Sequence, residues 1–321
     1  MPRQARLDAP GVLHHVIGRG IEGRDIFRQN RDYEDFIARI SRLVPQSKSQ
    51  MYAWVLMPNH FHLLMRTGVV LLASVMRRLM TGYAVNFNRR YQRLGHLFQN
   101  RYKSIVCADE PYLLELVRYI HLNPLRAGLV GRMDDLIVYR WCGHAALLGK
   151  KVITWQEVDG VLGRFGQKLN EARSAYARFI EEGAGMGERP DLCGGGLVRS
   201  AGGWAAVLAL RRRKAKAASD TRVLGDSDFV ESVIAEAEEQ ERATLRLKSN
   251  SISIEQFCRQ IALAHRVDFA ELISGSQRRA VIEARKEITL IAVKHLGFRG
   301  AEVARHLGVT TSCINRIVGA S

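Results

Sequence analysis

The amino-acid sequence predicts an α+β domain followed by a mainly α-helical carboxy-terminal domain. Three observations favour this fold class. Strand-like and helix-like segments alternate up to about residue 148, helical patterns dominate from about residue 222, and 321 residues exceed one typical domain. A composition of 47% hydrophobic and 25% charged residues is typical of a globular protein.

The amino-terminal domain, residues 1–148, begins with the strand-like run HHVIGR and continues with YAWVLM at 52–57. Apolar residues recur with helical spacing in DYEDFIARISRLV, ASVMRRLMTGYAVNFNRRY and YLLELVRYIHLN. The strand–helix–strand–helix order predicts a sheet with helices on one face.

Residues 149–221 form a predicted middle region. A helix pair is expected over VDGVLGRFGQKLNEARSAYARFIEEG, before a glycine-rich stretch and the basic run RRRKAKAAS. Such a composition favours a linker or an exposed element that faces DNA.

Residues 222–321 form the predicted helical domain. Ser253 and Gln256 have the spacing of a capping box at a helix start. In AEVARHLGVTTSCINRIV, the spacing of Ala304 and Gly308 is that of a helix-turn-helix, although amphipathic helices with this spacing also occur without DNA. The polar residues expected to face a major groove are Thr310, Thr311, Ser312, Asn315 and Arg316.

The net charge of +16 and a pI near 10 indicate a polyanionic partner. No acidic residue occurs between Asp35 and Asp109, and this charge distribution favours nucleic acid over a membrane surface. The sequence shows neither an apolar run of membrane-spanning length nor a secretory signal, and its five cysteines form no CxxC pair. We therefore expect no membrane association and a cytoplasmic location.

Two short motifs carry the candidate chemistry. In AWVLMPNHFHLLMR, a strand from His60 would place His60 and His62 on one face, where two imidazoles can converge on a divalent cation. In ELVRYIHLNPLRAGLV, Tyr119 and Asn123 lie four residues apart at a helix end. Tyr119 is either a core aromatic or a nucleophile, and a histidine of the pair could simply be a packed polar group.

The segments MPNHFHLL, GHLFQNRYKSI and LVRYIHLNPLRAGLV resemble motifs of the REP-associated branch of the single-tyrosine HUH transposases, over residues 1 to about 148. The resemblance implies an antiparallel, ferredoxin-like sheet, His60 and His62 as the metal-binding pair, Asn123 as a third ligand and Tyr119 as the nucleophile. It implies Mg²⁺ or Mn²⁺ as cofactor, with Mn²⁺ favoured by the histidine ligands.

The same resemblance implies an enzyme that cleaves and rejoins single-stranded or hairpin DNA, in particular repetitive palindromes, through a 5′-phosphotyrosine intermediate. It also implies a bacterial protein that is associated with the nucleoid when bound to DNA. Arg101 and Lys103 are candidates for contact with the DNA backbone or are surface residues that aid solubility. Family precedent leaves a monomer or a dimer open, with the tyrosine supplied in cis or in trans.

The stretch from Ser253 to Val318 resembles the carboxy-terminal DNA-binding domain of DnaA, which implies contact with duplex DNA. It departs from that family where GVTTSC replaces a GRDHST-like turn. Two alternatives stay open: a replication-type nickase, and a sequence-specific DNA-binding regulator with a vestigial HUH site.

Overall fold

The computed structural model describes residues 7–8, 10–187, 192, 220–237, 253–295 and 298–319. The chain divides into two compact units, Met1–Ala237 and Glu238–Ser321. The predicted domain boundaries at 148 and 221 stay predictions. The basic run RRRKAKAAS and, apart from Leu192, the glycine-rich stretch after residue 187 lie outside the described residues.

The first unit is built on a five-stranded sheet in the order β2-β3-β1-β4-β5. The strands are β1 (Leu13–Arg19), β2 (Gln50–Met57), β3 (His60–Arg66), β4 (Lys103–Cys107) and β5 (Val223–Leu224). The first four pair antiparallel, as predicted, and β5 adds to the edge of β4 in parallel. β4 and β5 were not predicted as strands, since both are short and lack a clear alternation of apolar and polar residues.

Helices cover both faces of this sheet, so the prediction of helices on one face is wrong. Along β2 the buried side chains alternate: Trp54 and Leu56 join one apolar cluster, whereas Val55 and Met57 join another. The helices α1 (Asn30–Gln46) and α2 (Leu72–Arg90) cover the first face, and α3 (Asp109–His121) covers the second. A sheet buried on both sides needs apolar residues at nearly every position, and the burial of β2 from Met51 to Met57 shows this.

Short helices continue the chain from α3. They are α4 (Asn123–Arg126), α5 (Met133–Val138), α6 (His144–Leu147) and α7 (Asp159–Leu162), followed by the longer α8 (Leu169–Ala184). The predicted pair α7 and α8 is present, and its buried Val161, Tyr176 and Ile180 pack in the same cluster as α3. Residues 227–237 form a further helical segment of the first unit.

The second unit is helical in its described part. Its helices are α9 (Ile254–Ala264), α10 (Phe269–Leu272), α11 (Arg279–Leu290) with a π-helical extension (Ile291–His295), α12 (Gly300–His306) and α13 (Thr311–Gly319). The capping box is formed, because Ser253 Oγ accepts the Gln256 N–H and Gln256 Oε1 accepts the Ser253 N–H. No helix in the described ranges is both long and apolar enough to span a membrane.

The turn between α12 and α13 depends on Gly308, which has φ +64°. A Cβ at this position would lie 2.3 Å from the Ile273 carbonyl oxygen, so only glycine fits both the backbone conformation and the contact. The turn predicted at Gly308 is therefore present, and Ala304 is buried beside it.

Candidate active site

A two-residue turn places His60 at the end of the central sheet. β2 ends at Met57 and β3 begins at His60, with Pro58 and Asn59 between them. The Pro58 carbonyl accepts the N–H groups of Ile26 and Phe27 at 2.8 and 2.9 Å, and the Asn59 carbonyl accepts that of Gly20 at 2.8 Å. These bonds fix where β3 starts and therefore which face each later side chain occupies.

Alternation along β3 places the two predicted metal-binding histidines on one face. The rings of His60 and His62 lie 5.2 Å apart on the face that α3 covers. Phe61 points to the opposite face and is fully buried there. It packs over Gly18 of β1, where a Cβ would come within 2.3 Å of the Phe61 ring. The apolar contact thus anchors the residue between the two histidines.

Helix α3 brings Tyr119 over these histidines. Leu116, Val117 and Ile120 hold the helix in the core, whereas Tyr119 is half-buried. The Tyr119 ring stands edge-on to His62, with 5.7 Å between the centroids. The structure therefore brings Tyr119 to the predicted histidine pair.

Asn123 follows one turn after Tyr119 and begins α4, with Pro124 as the second residue of that helix. Its side-chain N–H₂ donates to the Tyr119 carbonyl at 2.9 Å. The donor side of the amide is therefore directed at α3, and Oδ1 keeps its lone pairs as an acceptor.

His15 of β1 belongs to the same cluster and was not predicted. Its Nε2 lies 2.9 Å from His62 Nδ1, and its ring stacks on that of His62 at 5.2 Å. It also meets Tyr119 edge-on at 5.9 Å. The alternation of HHVIGR places one of its two histidines on this face, but the register of β1 against β3 could not be read from the sequence.

Burial lowers the pKa of the site histidines. The pKa of His60 falls to about 4, first through burial and then through the nearby charge of Arg19. The pKa of His62 falls well below its ordinary value, through burial and then through His15, His60 and Arg19. Both imidazoles are therefore neutral near pH 7, and only a neutral imidazole offers a lone pair to a metal.

The donor set fits a divalent cation. His60 Nδ1 lies 2.6 Å from Asn59 Oδ1, and His62 Nδ1 lies within hydrogen-bonding distance of His15. These contacts leave the Nε2 atom of each ring for coordination, in the pattern usual for metal-binding histidines. The described residues contain no group of three His, Cys, Asp or Glu that could hold a metal. An amide oxygen is a ligand type that suits a third position beside two imidazoles, since Mg²⁺ and Mn²⁺ favour oxygen ligands.

Cationic side chains lie around the cluster. Arg19 is paired with His60 across the two strands, and the charge of Lys103 acts on the pKa of His15. The Arg126 guanidinium carbon lies 5.7 Å from the centroid of the Tyr119 ring. Of the two candidates for contact with the DNA backbone, Arg101 and Lys103, Lys103 lies on this side of the sheet, where it pairs with Ile17 of β1.

Arg101 lies elsewhere, in a groove of about 890 Å³ between α2 and residues 95–102. The groove lies on the face that α1 and α2 cover, because its Met76, Leu97 and Tyr102 belong to that apolar cluster. None of its lining residues is acidic. The structure thus separates Arg101 from the histidine cluster.

The five polar residues predicted to read DNA in the second unit are all exposed: Thr310, Thr311, Ser312, Asn315 and Arg316. Ile314 between them is buried and anchors α13 on the core of its unit. Thr311, Ser312, Asn315 and Arg316 therefore form an exposed polar face of α13, whereas Thr310 lies just before the helix and its Oγ1 accepts the Cys313 N–H.

Residues 11–123 match the family model described as "Transposase IS200 like". No curated protein matches this chain. A solved structure described as "Structure of the REP associates tyrosine transposase bound to a REP hairpin" is 16% identical, with a TM-score of 0.39. That alignment covers 49% of this chain and 98% of the other. The matched residues include His60, His62, Tyr119 and Asn123, and this part of the chain is similar to IS200-like transposases.

Proposed function

We propose that this protein is a metal-dependent DNA strand transferase that cleaves and rejoins single-stranded or hairpin DNA through Tyr119. The observation that carries the proposal is the convergence of Tyr119 with two neutral histidines, whose Nε2 atoms are left for a metal, on one face of the sheet. The family match of residues 11–123 supports the same reaction class.

In the proposed reaction, the phenol oxygen of Tyr119 attacks the scissile phosphorus and its proton passes to water. The bond between phosphorus and the 3′ oxygen breaks, and that oxygen takes up a proton to become a free 3′-hydroxyl. The 5′-phosphotyrosine keeps the energy of the phosphodiester bond, so rejoining needs no nucleotide cofactor. His60, His62 and the Asn123 amide oxygen would hold Mn²⁺ or Mg²⁺, which when bound polarises the phosphate and stabilises its developing charge.

Side chains of this chain would also hold the DNA backbone. Arg19, Lys103 and Arg126 lie near the cluster and would neutralise phosphates on either side of the scissile bond. Arg126 lies near the Tyr119 ring, where its positive charge would attract the scissile phosphate towards the tyrosine. Arg101 would contact the strand at the groove beside α2.

The second unit would bind duplex DNA through α13 in the manner of a helix-turn-helix. The support is the turn at Gly308 and the exposed polar face of α13. The likeness to the DnaA carboxy-terminal domain is part of this proposal. Repetitive palindromes would supply both a hairpin for the first unit and a duplex stem for the second.

The test is covalent capture. The full chain is incubated with a panel of labelled DNA hairpins and Mn²⁺, and a denaturing gel is used to look for a protein–DNA adduct. Wild type should form the adduct and Tyr119→Phe should not. Tyr112→Phe, two helical turns earlier on α3, is the matched control and should retain it. No adduct with any hairpin, or an equal adduct with Tyr119→Phe, contradicts the proposal.

A second strand distinguishes a transferase from a nickase. After adduct formation, an unlabelled strand with a free 3′-hydroxyl is added. A transferase joins the labelled fragment to it and regenerates free Tyr119, whereas a nickase that does not rejoin leaves the adduct. Binding to duplex DNA without any adduct would instead favour the regulator.

A further inference from the structure

Hydrogen bonds join three groups in series behind the candidate metal site: the Leu192 carbonyl, His15 and His62. His15 Nδ1 lies 3.1 Å from the Leu192 carbonyl oxygen, and His15 Nε2 lies 2.9 Å from His62 Nδ1. His15 and Leu192 are almost completely shielded from solvent, at 0% and 1% exposure. Water therefore does not compete for these contacts.

The positions of the hydrogens on the two rings follow from the Leu192 carbonyl, which stands at one end of this hydrogen-bonded series. A carbonyl oxygen can only accept, so His15 Nδ1 must carry the proton. Full burial favours the neutral imidazole, which has one N–H, so His15 Nε2 carries the lone pair. His62 Nδ1 must then donate to it, and the lone pair of His62 is left on Nε2.

We propose that His15, held by the Leu192 carbonyl, is a positioning residue that fixes the tautomer and ring orientation of His62 for metal binding. This inference rests on the proposed role of His62 as a metal ligand. Metal-binding histidines usually donate their second N–H to an acceptor, and loss of that acceptor typically weakens metal affinity by about 10- to 100-fold. Here the acceptor is another histidine, anchored by a backbone carbonyl from 177 residues later in the chain.

His60 offers an internal comparison. Its Nδ1 contacts the side chain of the preceding residue, Asn59, so its orientation is fixed locally. His62 has a partner from another strand, which depends in turn on Leu192 of the middle region. The middle region therefore contributes to the active site and is more than a spacer between two DNA-binding parts.

The first experiment reads the tautomer of His62 directly in the metal-free protein. Long-range ¹H–¹⁵N correlation spectra separate a ring protonated on Nδ1 from one protonated on Nε2. Wild-type His62 should be the Nδ1–H form. In His15→Leu this preference should be lost, and in His15→Gln, whose amide oxygen can accept in place of Nε2, it should be retained. An Nε2–H form of His62 in wild type overturns the proposal.

The second experiment measures affinity for Mn²⁺ alone by calorimetric titration. His15→Leu should bind Mn²⁺ about 10- to 100-fold more weakly than wild type, and His15→Gln should stay close to wild type. His14→Leu is the matched control, since His14 is equally buried on the same strand but hydrogen-bonds Ser104 on the other face. An equal loss in His14→Leu and His15→Leu would show general damage to the strand and would overturn the positioning role.

These experiments distinguish failure of the proposed metal site from failure of the positioning role of His15. If wild type binds no Mn²⁺, the proposed metal site fails whatever the tautomer of His62. If wild type binds Mn²⁺ and His15→Leu, folded by circular dichroism, binds it equally well, the metal site stands and the positioning role fails. If His15→Leu does not fold, His15→Gln decides the outcome by its tautomer, because an Nε2–H form of His62 in that variant contradicts the inference.

Discussion

The candidate active site and the exposed face of α13 use polar residues in opposite surroundings. His62 and His15 are buried, touch each other and depend on strand register, whereas Asn315 and Arg316 are exposed on a short surface helix. A buried polar group is costly unless it is hydrogen-bonded, so each substitution in the first site affects its neighbours. Substitutions on α13 should change DNA contacts and little else. The difference predicts large, coupled effects in one region and small, additive effects in the other.

The largest effect is expected from His62→Ala. Removal of a direct metal ligand should weaken Mn²⁺ affinity by more than the roughly 10- to 100-fold typical of an outer partner, and adduct formation should fall with it. Calorimetric titration with Mn²⁺ and the hairpin assay measure both. His96→Ala, in the exposed loop beside α2, is the control and should retain Mn²⁺ affinity. Unchanged Mn²⁺ affinity in His62→Ala would remove His62 from the site.

The next effect is on stability. Phe61→Ala should lower the free energy of unfolding by about 3–5 kcal/mol, because a fully buried ring leaves a cavity. Phe61→Leu should cost less, since most of the apolar volume remains. Urea unfolding followed by tryptophan fluorescence measures both variants. A Phe61→Ala protein as stable as wild type would show that the residue between the histidines does not anchor β3.

The same two regions show that the sequence predicts features fixed by neighbouring residues better than features fixed by tertiary contacts. Local spacing identified β3, the shared face of His60 and His62 and the helix that carries Tyr119, because each depends on neighbours in the chain. It missed His15 and Arg126, whose roles depend on cross-strand register and on how α3 and α4 pack. It also misjudged the sheet, since a helix-like pattern does not tell which face of a sheet the helix will cover. The exposed residues of α13 were predictable because polar residues on one side of an amphipathic helix face away from its apolar core.

Acid should destabilise the first unit. Six of its described histidines have pKa values lowered by burial: His14, His15, His60, His62, His121 and His144. In the unfolded chain they titrate near 6.5, so between about pH 6.5 and 4 the unfolded state binds more protons than the folded state. The free energy of unfolding should therefore fall as the pH is lowered through that window.

Urea unfolding at pH 7.5, 6.0 and 5.0 measures this dependence. His14→Met removes one buried imidazole on the face away from Tyr119 and should make the pH dependence shallower. An unfolding midpoint that does not change between pH 7.5 and 5.0 would contradict the expected neutral state of these histidines.

The smallest effect is expected on α13. Arg316→Ala should reduce the dependence of duplex binding on salt by about one unit of slope, because the variant lacks one of the cations that displace counterions from the DNA. The free energy of unfolding should stay within about 0.5 kcal/mol, since Arg316 is exposed. Fluorescence anisotropy with a labelled duplex at several salt concentrations gives the slope. Arg259→Ala on α9, whose guanidinium pairs with Glu255, is the matched control. An equal slope change in both variants would mean that net charge, and not the polar face of α13, determines duplex binding.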